Sequence, residues 1–329
     1  MKKNSWQDKR VLVTGCTGFL GSWLTAVLVN MEADVVGLIR DDVPQSQLVR
    51  SGTIKQIKVV RGELCDAPLL ERTIAEYEID TIFHLAAQTI VGIANRSPTS
   101  TFETNIRGSW MLMEAARSQP TVKAMVLAGS EKAYGDLAEP PFREDFALQG
   151  RHPYDVSKSC ADLIAQCYAH SYKLPIAITR CSNLYGGGDL NWNRLLPGTI
   201  RSILRGERPI VRSDGTFKRD YLFVDDAVKG YLMIAEQLGQ GNLVGETFNF
   251  GMGKPNSALD VVNTIIKVSN HPTLEPIILD EVKNEIKDEY LSADKARQQL
   301  GWQPEDTLET GLAKTIDWYR EFLNLGNSL

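Results

Sequence analysis

Short apolar runs alternate with segments of helical periodicity along the first half of the chain. The apolar runs predict strands, the first beginning at Val11 and the others covering Asp34–Ile39, Ile57–Arg61, Thr81–Gln88, Ala124–Gly129 and Pro175–Thr179. Helical patterns lie between them, over Trp23–Asn30, Ala67–Tyr77 and Asn105–Ser118. This alternation is typical of a parallel sheet covered by helices on both faces. The pattern therefore predicts an α/β protein with a doubly wound parallel sheet.

The first predicted strand runs into a turn with a glycine at every third position. Gly15 permits the tight turn, Gly18 lets a phosphate approach the backbone, and Gly21 lets the next helix pack closely on the strand. Such a turn presents backbone N–H groups and a positive helix end to a dinucleotide pyrophosphate. The alternative is a strand, turn and helix whose glycines serve packing alone. We predict a Rossmann dinucleotide site with contacts from Gly15, Thr17, Gly18, Phe19, Leu20 and Gly21.

The ends of the next strands supply further candidate contacts to a cofactor. Arg40 directly follows the second strand, and Asp41 and Asp42 come after it. An acid at this place hydrogen-bonds the ribose of NAD, whereas an arginine pairs with the 2′-phosphate of NADP. The cofactor is therefore predicted as NAD(P), with Arg40 favouring NADP. The remaining predicted contacts follow the third and fourth strands, at Leu64, Asp66, Leu85, Ala86 and Ala87.

Composition narrows the class of protein and its partners. The 329 residues are 43% hydrophobic and 23% charged, as in ordinary globular proteins. No run of eighteen apolar residues occurs and the N-terminus is polar, which predicts a cytoplasmic protein without signal peptide or membrane span. The net charge of −5 argues against nucleic acid or an anionic membrane as partner. The five cysteines form no CxxC pair and are expected to be reduced, buried thiols, with no metal site.

Tyr154 and Lys158 lie four residues apart and share one face of a predicted helix. A tyrosine near its reference pKa of about 10 is a poor base at neutral pH, but a nearby ammonium group favours the phenolate. The lysine can also hydrogen-bond a nicotinamide ribose. This spacing alone is common on solvated helix faces. Together with the glycine turn and with Ser130 after an intervening strand, it predicts that Ser130, Tyr154 and Lys158 are catalytic. His84, by contrast, is predicted to be a core residue.

At these motifs the chain resembles the extended short-chain dehydrogenase/reductases that act on nucleoside-diphosphate sugars, over essentially its full length. The matching segments are residues 14–21, 84–87, 130–135, 154–158, 180–186, 219–226 and 300–304. Residues 187–197 are most similar to CDP-glucose 4,6-dehydratases within that family. The resemblance implies a Rossmann domain over 1–180, to which a segment near 216–240 returns, a smaller α/β substrate domain over 181–329, and a homodimer.

The triplet Ser130-Glu131-Lys132 separates two reactions within the resembling family. C4-epimerases usually carry small or uncharged residues after the Ser or Thr, because they only oxidise and re-reduce C4. Dehydratases carry an acid and then a second ionisable group, because they also protonate the C6 hydroxyl and remove the C5 proton. Glu131 fits the acid, although it is one methylene longer than the more usual Asp. Lys132 stands where many relatives carry Glu and where the CDP-glucose enzymes carry Lys.

The predicted function is 4,6-dehydration of a nucleoside-diphosphate hexose. Tyr154 deprotonates the C4 hydroxyl while hydride passes to the nicotinamide, with Ser130 holding the same oxygen and Lys158 stabilising the phenolate. Water then leaves across C5–C6 with Glu131 as acid and Lys132, or water held by it, acting at C5. Hydride returns to C6, so no external reductant is consumed. The alternatives are a C4-epimerase of the same substrates and a redox sensor that binds the dinucleotide without turnover.

A basic segment is the predicted contact for the substrate diphosphate. Between Arg194 and Asp220, seven Lys and Arg residues face three acids, inside an otherwise acidic chain. Arg201, Arg205 and Arg208 follow helical spacing and are assigned to a solvated face. The substrate contacts implied by the resemblance are Gln88, Asn183, Arg194, Leu195 and Arg219. Relatives often carry an Arg before residues 292–295. It is absent here, where Lys283 or Glu285 lies in its region.

Overall fold

The computed structural model describes residues 5–135, 139–281 and 287–325. Its strands are β1 (Arg10–Thr14), β2 (Asp34–Ile39), β3 (Lys58–Arg61), β4 (Thr81–His84), β5 (Ala124–Ala128), β6 (Ile176–Cys181), β7 (Asn183–Tyr185), β8 (Ile210–Val211), β9 (Lys218–Arg219), β10 (Tyr221–Phe223), β11 (Thr247–Phe250), β12 (Asn256–Ser257), β13 (Ile277–Ile278) and β14 (Asp288–Glu289). Seven of them form one sheet in the order β11-β6-β5-β4-β1-β2-β3, with parallel neighbours throughout. The predicted α/β class and doubly wound parallel sheet are confirmed.

Helices join these strands and cover the sheet. They are α1 (Phe19–Asn30), α2 (Gln47–Arg50), α3 (Ala67–Glu76), α4 (Val91–Arg96), α5 (Pro98–Phe102), α6 (Gly108–Arg117), α7 (Pro153–Tyr172), α8 (Leu195–Leu204), α9 (Val224–Gly239), α10 (Ala258–Val268), α11 (Asp294–Leu300) and α12 (Leu308–Leu325). Short 3₁₀ turns cover Thr53–Gln56 and Glu131–Tyr134, and a π-helical turn at Glu103–Arg107 joins α5 to α6.

Two apolar cores sandwich the large sheet, and a third lies apart from it. One face packs against α1 and α9, the other against α3, α6 and α7. The third core joins α8, α10 and α12 to the short strands of the second half. The chain passes between these cores more than once. Strands β7–β10 belong to short sheets outside the large one, and α9 and β11 then pack on or join the large sheet again.

The fourth strand is shorter than its sequence predicted, and the reason is a side chain on the first. β4 ends at His84 rather than Gln88. Beyond it, the backbone N–H groups of Leu85 and Ala86 donate to Thr14 Oγ1 at 3.2 and 3.3 Å. These bonds turn the chain away from the strand ladder. The small residues after His84 therefore form a loop at the sheet edge.

The glycine turn after β1 allows an unusually close approach of backbone segments. Gly15 has φ +74°, and a Cβ there would lie 2.7 Å from the backbone nitrogen of Ala86. A Cβ at Gly21 would lie 2.1 Å from the carbonyl oxygen of Gly15. Side chains at these two positions would push α1 and the β4 loop away from β1. The turn thus brings the start of α1 to the carboxyl end of the sheet.

The cysteines differ from the expectation in one respect. All five are free thiols: Cys16 and Cys181 are buried, Cys65 and Cys160 are partly buried, and Cys167 is exposed. The expectation of uniformly buried thiols is wrong for Cys167, which lies on a solvent-facing position of α7. Among the helices described here, none combines the length and the apolar character that crossing a bilayer requires.

Candidate active site

A cavity of about 1640 Å³ opens at the carboxyl ends of the large sheet. It exceeds the roughly 300–1,000 Å³ of a pocket for one small ligand, so it can hold two. Most residues predicted as site contacts line it, namely Gly15, Thr17, Gly18, Phe19, Leu20, Gly21, Arg40, Leu64, Leu85, Ala86, Ala87, Gln88, Ser130, Glu131, Lys132, Tyr154, Lys158, Asn183, Arg194 and Arg219. Asp66 and Leu195 lie beside it: the Asp66 carboxylate caps α3 by accepting from Leu69 N, and Leu195 begins α8.

The first wall of the cavity suits a dinucleotide pyrophosphate. It is made by Gly15, Gly18 and the first turn of α1, whose backbone N–H groups have no partner within the helix. Since no side chain projects from the glycines, a phosphate can reach these N–H groups directly. The residues present therefore fit the pyrophosphate of a nicotinamide dinucleotide.

Arg40, at the rim of the same cavity, is paired with its neighbour. Its Nε lies 2.7 Å from Asp41 Oδ2, and both side chains are more than half exposed. Arg61 pairs in the same way with Asp42, at 2.8 Å. The positive charge from which NADP was predicted is therefore compensated locally.

His84 joins three elements beneath the cavity floor. Its Nδ1 lies 2.8 Å from Thr14 Oγ1 and its Nε2 lies 2.9 Å from Ser109 Oγ. Burial, with a smaller contribution from the Lys158 charge, lowers the pKa of His84 to about 3, so the ring is neutral. His84 is thus a satisfied core residue, as its sequence context predicted.

Tyr154 and Ser130 both line the cavity. Lys158 is buried below it, with Nζ 6.0 Å from the tyrosine ring centre and donating to Ala128 O at 2.8 Å. Burial lowers the pKa of Lys158 to about 8. Burial also raises the pKa of Tyr154, against a smaller lowering effect of Ser130. Lys158 is not among the main groups that lower this pKa, and its ammonium group donates to a backbone carbonyl instead.

Glu131 is a buried carboxyl group that lines the same cavity as Tyr154. Only 2% of the residue is exposed, and its Oε1 accepts from Asn183 Nδ2 at 2.8 Å. No described residue bonds its other oxygen, Oε2. Burial, followed by repulsion from Glu289, raises the pKa of Glu131 well above its usual value. The group is therefore held in the form that can donate a proton, and Asn183 orients it.

Buried hydrogen bonds fix the short turn that carries Glu131 and Lys132. Arg180 makes a two-pronged ion pair with Asp162 of α7, at 2.8 and 3.1 Å. Its Nη1 donates to the hydroxyl of Tyr134, at the end of the turn, at 2.8 Å. The Tyr134 hydroxyl in turn donates to Asn249 Oδ1 on β11 at 2.7 Å. Three sheet and helix elements thus hold the acid in place.

Glu289 on β14 is a site residue that the sequence did not reveal. It is fully buried, and its Oε2 contacts Lys132 Nζ and lies 3.4 Å from Arg219 Nε. Burial lowers the pKa of Lys132, but Glu289 and Glu131 more than offset this, so the net shift is upward. Lys132 is consequently an ammonium group. The only sequence signal for Glu289 is its place three residues before the late element at residues 292–295.

The basic segment divides between the cavity and the surface. Arg194 lines the cavity and pairs with Asp189 at 3.0 Å. Arg201 stacks on the Trp192 ring, 4.8 Å from its centre, and so is not a fully solvated residue as assigned. The side chains of Arg205 and Arg208 follow the end of α8 and are exposed.

Two further sequence expectations concern the nucleotide contact and metals. Lys283 and Glu285 lie outside the described residues. Within residues 5–135, 139–281 and 287–325, no group of three His, Cys, Asp or Glu side chains is arranged to hold a metal ion.

Comparison with known proteins finds one family over nearly the whole chain. The family model described as GDP-mannose 4,6-dehydratase matches residues 12–315. The CDP-glucose 4,6-dehydratase of Salmonella typhimurium is 31% identical over 339 residues, covering 98% of this chain and 93% of the relative.

Solved structures with the same fold include both dehydratases and epimerases. The dTDP-glucose 4,6-dehydratase of Bacillus anthracis, in complex with NAD, matches with a TM-score of 0.83 and 27% identity, over 95% of this chain and 97% of that one. The UDP-glucose 4-epimerase of Thermotoga maritima, with UDP-glucose, matches with a TM-score of 0.87 and 27% identity, over 95% and 99%. The fold alone therefore does not distinguish the two reactions.

We predict that Glu131→Gln raises stability at neutral pH. Native Glu131 keeps a proton that the unfolded chain releases above about pH 4.5, so its contribution to the free energy of unfolding falls as pH rises towards its native pKa. Each pH unit in that window costs up to about 1.4 kcal/mol. Thermal unfolding from about pH 5 to 8 should show the variant gaining on the parent as pH rises.

Glu114→Gln is the matched control, because its Arg117 hydrogen bond lowers the pKa of Glu114. That substitution should lower stability most above the unfolded pKa, and the loss should vanish at acid pH. Equal pH dependence of parent and Glu131→Gln would show that native Glu131 is ionised.

Proposed function

The chain belongs to the GDP-mannose 4,6-dehydratase family, among the extended short-chain dehydrogenase/reductases, and we propose that it is a nucleoside-diphosphate-hexose 4,6-dehydratase acting on CDP-glucose or a close analogue. One observation supports the choice of reaction: a buried acid, Glu131, lines the same cavity as Tyr154. Oxidation at C4 needs the tyrosine alone, whereas elimination across C5–C6 needs a proton donor as well.

Tyr154 and Ser130 would hold the oxygen at C4 of the hexose. Tyr154 would act as a phenolate: it releases its own proton to water as the substrate binds and then accepts the proton of the C4 hydroxyl, while the Ser130 hydroxyl hydrogen-bonds the same oxygen. A nicotinamide dinucleotide held along the glycine turn would supply a hydride acceptor for C4 and a hydride donor for C6. Lys158, buried beneath, offers an ammonium group that stabilises the phenolate once the sugar excludes water.

Glu131 and Lys132 then assist the elimination of water across C5–C6. The C4 ketone acidifies the C5–H bond. The Glu131 proton passes to the C6 hydroxyl as the C6–O bond breaks and water leaves. Because Lys132 is an ammonium group, it does not itself take the C5 proton. A water molecule held by Lys132 takes that proton and passes it to the Glu131 carboxylate, which restores the acid. When hydride is added at C6, a proton from solvent returns to C5 through the same water molecule, which completes the 4-keto-6-deoxy product.

The substrate diphosphate is assigned to the basic side of the cavity. Arg194, Arg212 and Arg219 all line the cavity. Gln88 lines it as well, and Asn105 fixes its backbone by accepting from Gln88 N at 2.7 Å and donating to Gln88 O at 3.0 Å. Asn183 acts through Glu131, which it orients.

We further propose a homodimer formed by α6 and α7. Trp110 on α6 and Leu163 and Tyr172 on α7 are large apolar side chains with 41%, 54% and 57% exposure. The two helices pack side by side, which puts these side chains on neighbouring surfaces. A second copy would cover them.

Incubation with CDP-, GDP-, UDP- and dTDP-linked glucose or mannose tests the reaction. We expect one of them to yield a product lighter by one water, a 4-keto-6-deoxy sugar nucleotide, by mass spectrometry. Tyr154→Phe should lower turnover about 10²–10⁴-fold because the proton acceptor is lost. Tyr77→Phe, at the end of α3 and not among the residues that line the cavity, is the control and should turn over normally. An isomer of unchanged mass would show an epimerase, and tight dinucleotide binding without turnover a redox sensor.

We expect the protein to prefer NAD over NADP, in contrast to the preference first drawn from Arg40. Asp41 compensates the Arg40 charge and would repel a 2′-phosphate. Calorimetric titration of nucleotide-depleted protein should therefore give tighter binding of NAD. Tighter binding of NADP that is lost in Arg40→Ala would contradict this.

A further inference from the structure

Glu289 reaches the cavity wall from the far end of the chain. Its backbone on β14 is in register with Arg219 on β9, and the next residue, Tyr290, accepts from Phe142 N at 2.9 Å. The side chain is fully buried. One carboxylate oxygen contacts both Lys132 and Arg219, while the other has no hydrogen-bond partner among the described residues.

The charges around Glu131 balance only if one carboxyl group is protonated. Glu289 and Asp220 face it as acids, and Lys132 and Arg219 as cations. Cys181 and Tyr221 also lie near it and are neutral, since burial raises the pKa of each. Three carboxyl groups thus lie near two cations, and Asp155 is a further acid that faces Lys132 and Glu289. Lys132 and Arg219 are engaged by Glu289, which leaves Glu131 as the carboxyl group that keeps a proton.

We propose that Glu289 is a positioning residue for dehydration, which holds the Lys132 ammonium at the cavity wall and keeps Glu131 as the protonated acid. The inference rests on the proposed function of the site. A carboxylate 157 residues away in sequence contacts the Lys132 ammonium group. Without Glu289, Lys132 would neutralise the Glu131 carboxylate, and the proton for the C6 hydroxyl would be lost.

Infrared titration of the substrate-free protein tests this directly. The carbonyl band of protonated Glu131 is the one that Glu131→Gln removes. In Glu289→Gln we expect this band to disappear at a pH lower than in the parent by about one unit or more, because a like charge is removed. Lys132→Gln should move the band the opposite way, and Glu289→Asp should keep it near the parent position. A band that titrates identically in the parent and Glu289→Gln would overturn the proposal.

The kinetic counterpart is the pH profile of dehydration. In Glu289→Gln the basic limb of kcat should move to lower pH with the infrared band, with KM little changed and Glu289→Asp restoring the limb. A uniform loss of kcat at every pH would instead indicate a merely structural role and contradict the proposal. If Glu289→Gln fails to fold, infrared titration of the Glu131 band in Lys132→Gln and in Glu289→Asp still tests the proposal. The infrared measurement needs no sugar nucleotide, so failure of the proposed function and failure of this inference are distinguishable.

Discussion

The structure depends on the meeting of parallel strand ends at one edge of the sheet. All strands of the large sheet run in the same direction, so the chain leaves each at the same edge. At β1 it leaves through glycines that let α1 and the β4 loop approach within backbone contact. At β5 it leaves through Gly129, where a Cβ would lie 2.4 Å from Thr179 O. These close approaches bring the start of α1, the acid-bearing turn and the tyrosine helix around one cavity.

Burial of charge is the second feature that shapes the site. Desolvation keeps Tyr154 and Glu131 in their protonated forms and favours the neutral form of Lys158. Tyr154 and Glu131 therefore keep their protons until a bound ligand changes the charge around them. Glu289 contacts Lys132, and the buried Arg180–Asp162 pair supports the turn that carries Glu131 and Lys132. The environment therefore keeps both Glu131 and Tyr154 protonated before a ligand binds, and Tyr154 becomes a base only when it loses its proton.

Sequence periodicity and spacing predicted local features well and long-range contacts poorly. β2 covers Asp34–Ile39, as its apolar run predicted, because that strand is buried along its length. β4 ends at His84, and beyond it the Thr14 hydroxyl accepts from Leu85 N and Ala86 N, although Leu85 N also donates to Thr14 O. Glu289 belongs to no sequence motif, since its contact with Lys132 joins residues distant in sequence. The pKa direction of Tyr154 also differed from the prediction, because helix spacing shows proximity to Lys158 but not the burial that raises the tyrosine pKa.

The most direct test of the account follows one hydrogen atom through the reaction. The sugar nucleotide that undergoes turnover should be supplied with deuterium at C4 of the hexose, and the product analysed by NMR and mass spectrometry. If oxidation at C4 and reduction at C6 occur in one cavity, the deuterium will appear in the C6 methyl group of the 4-keto-6-deoxy product. Deuterium retained at C4, or a methyl group without it, would contradict the account.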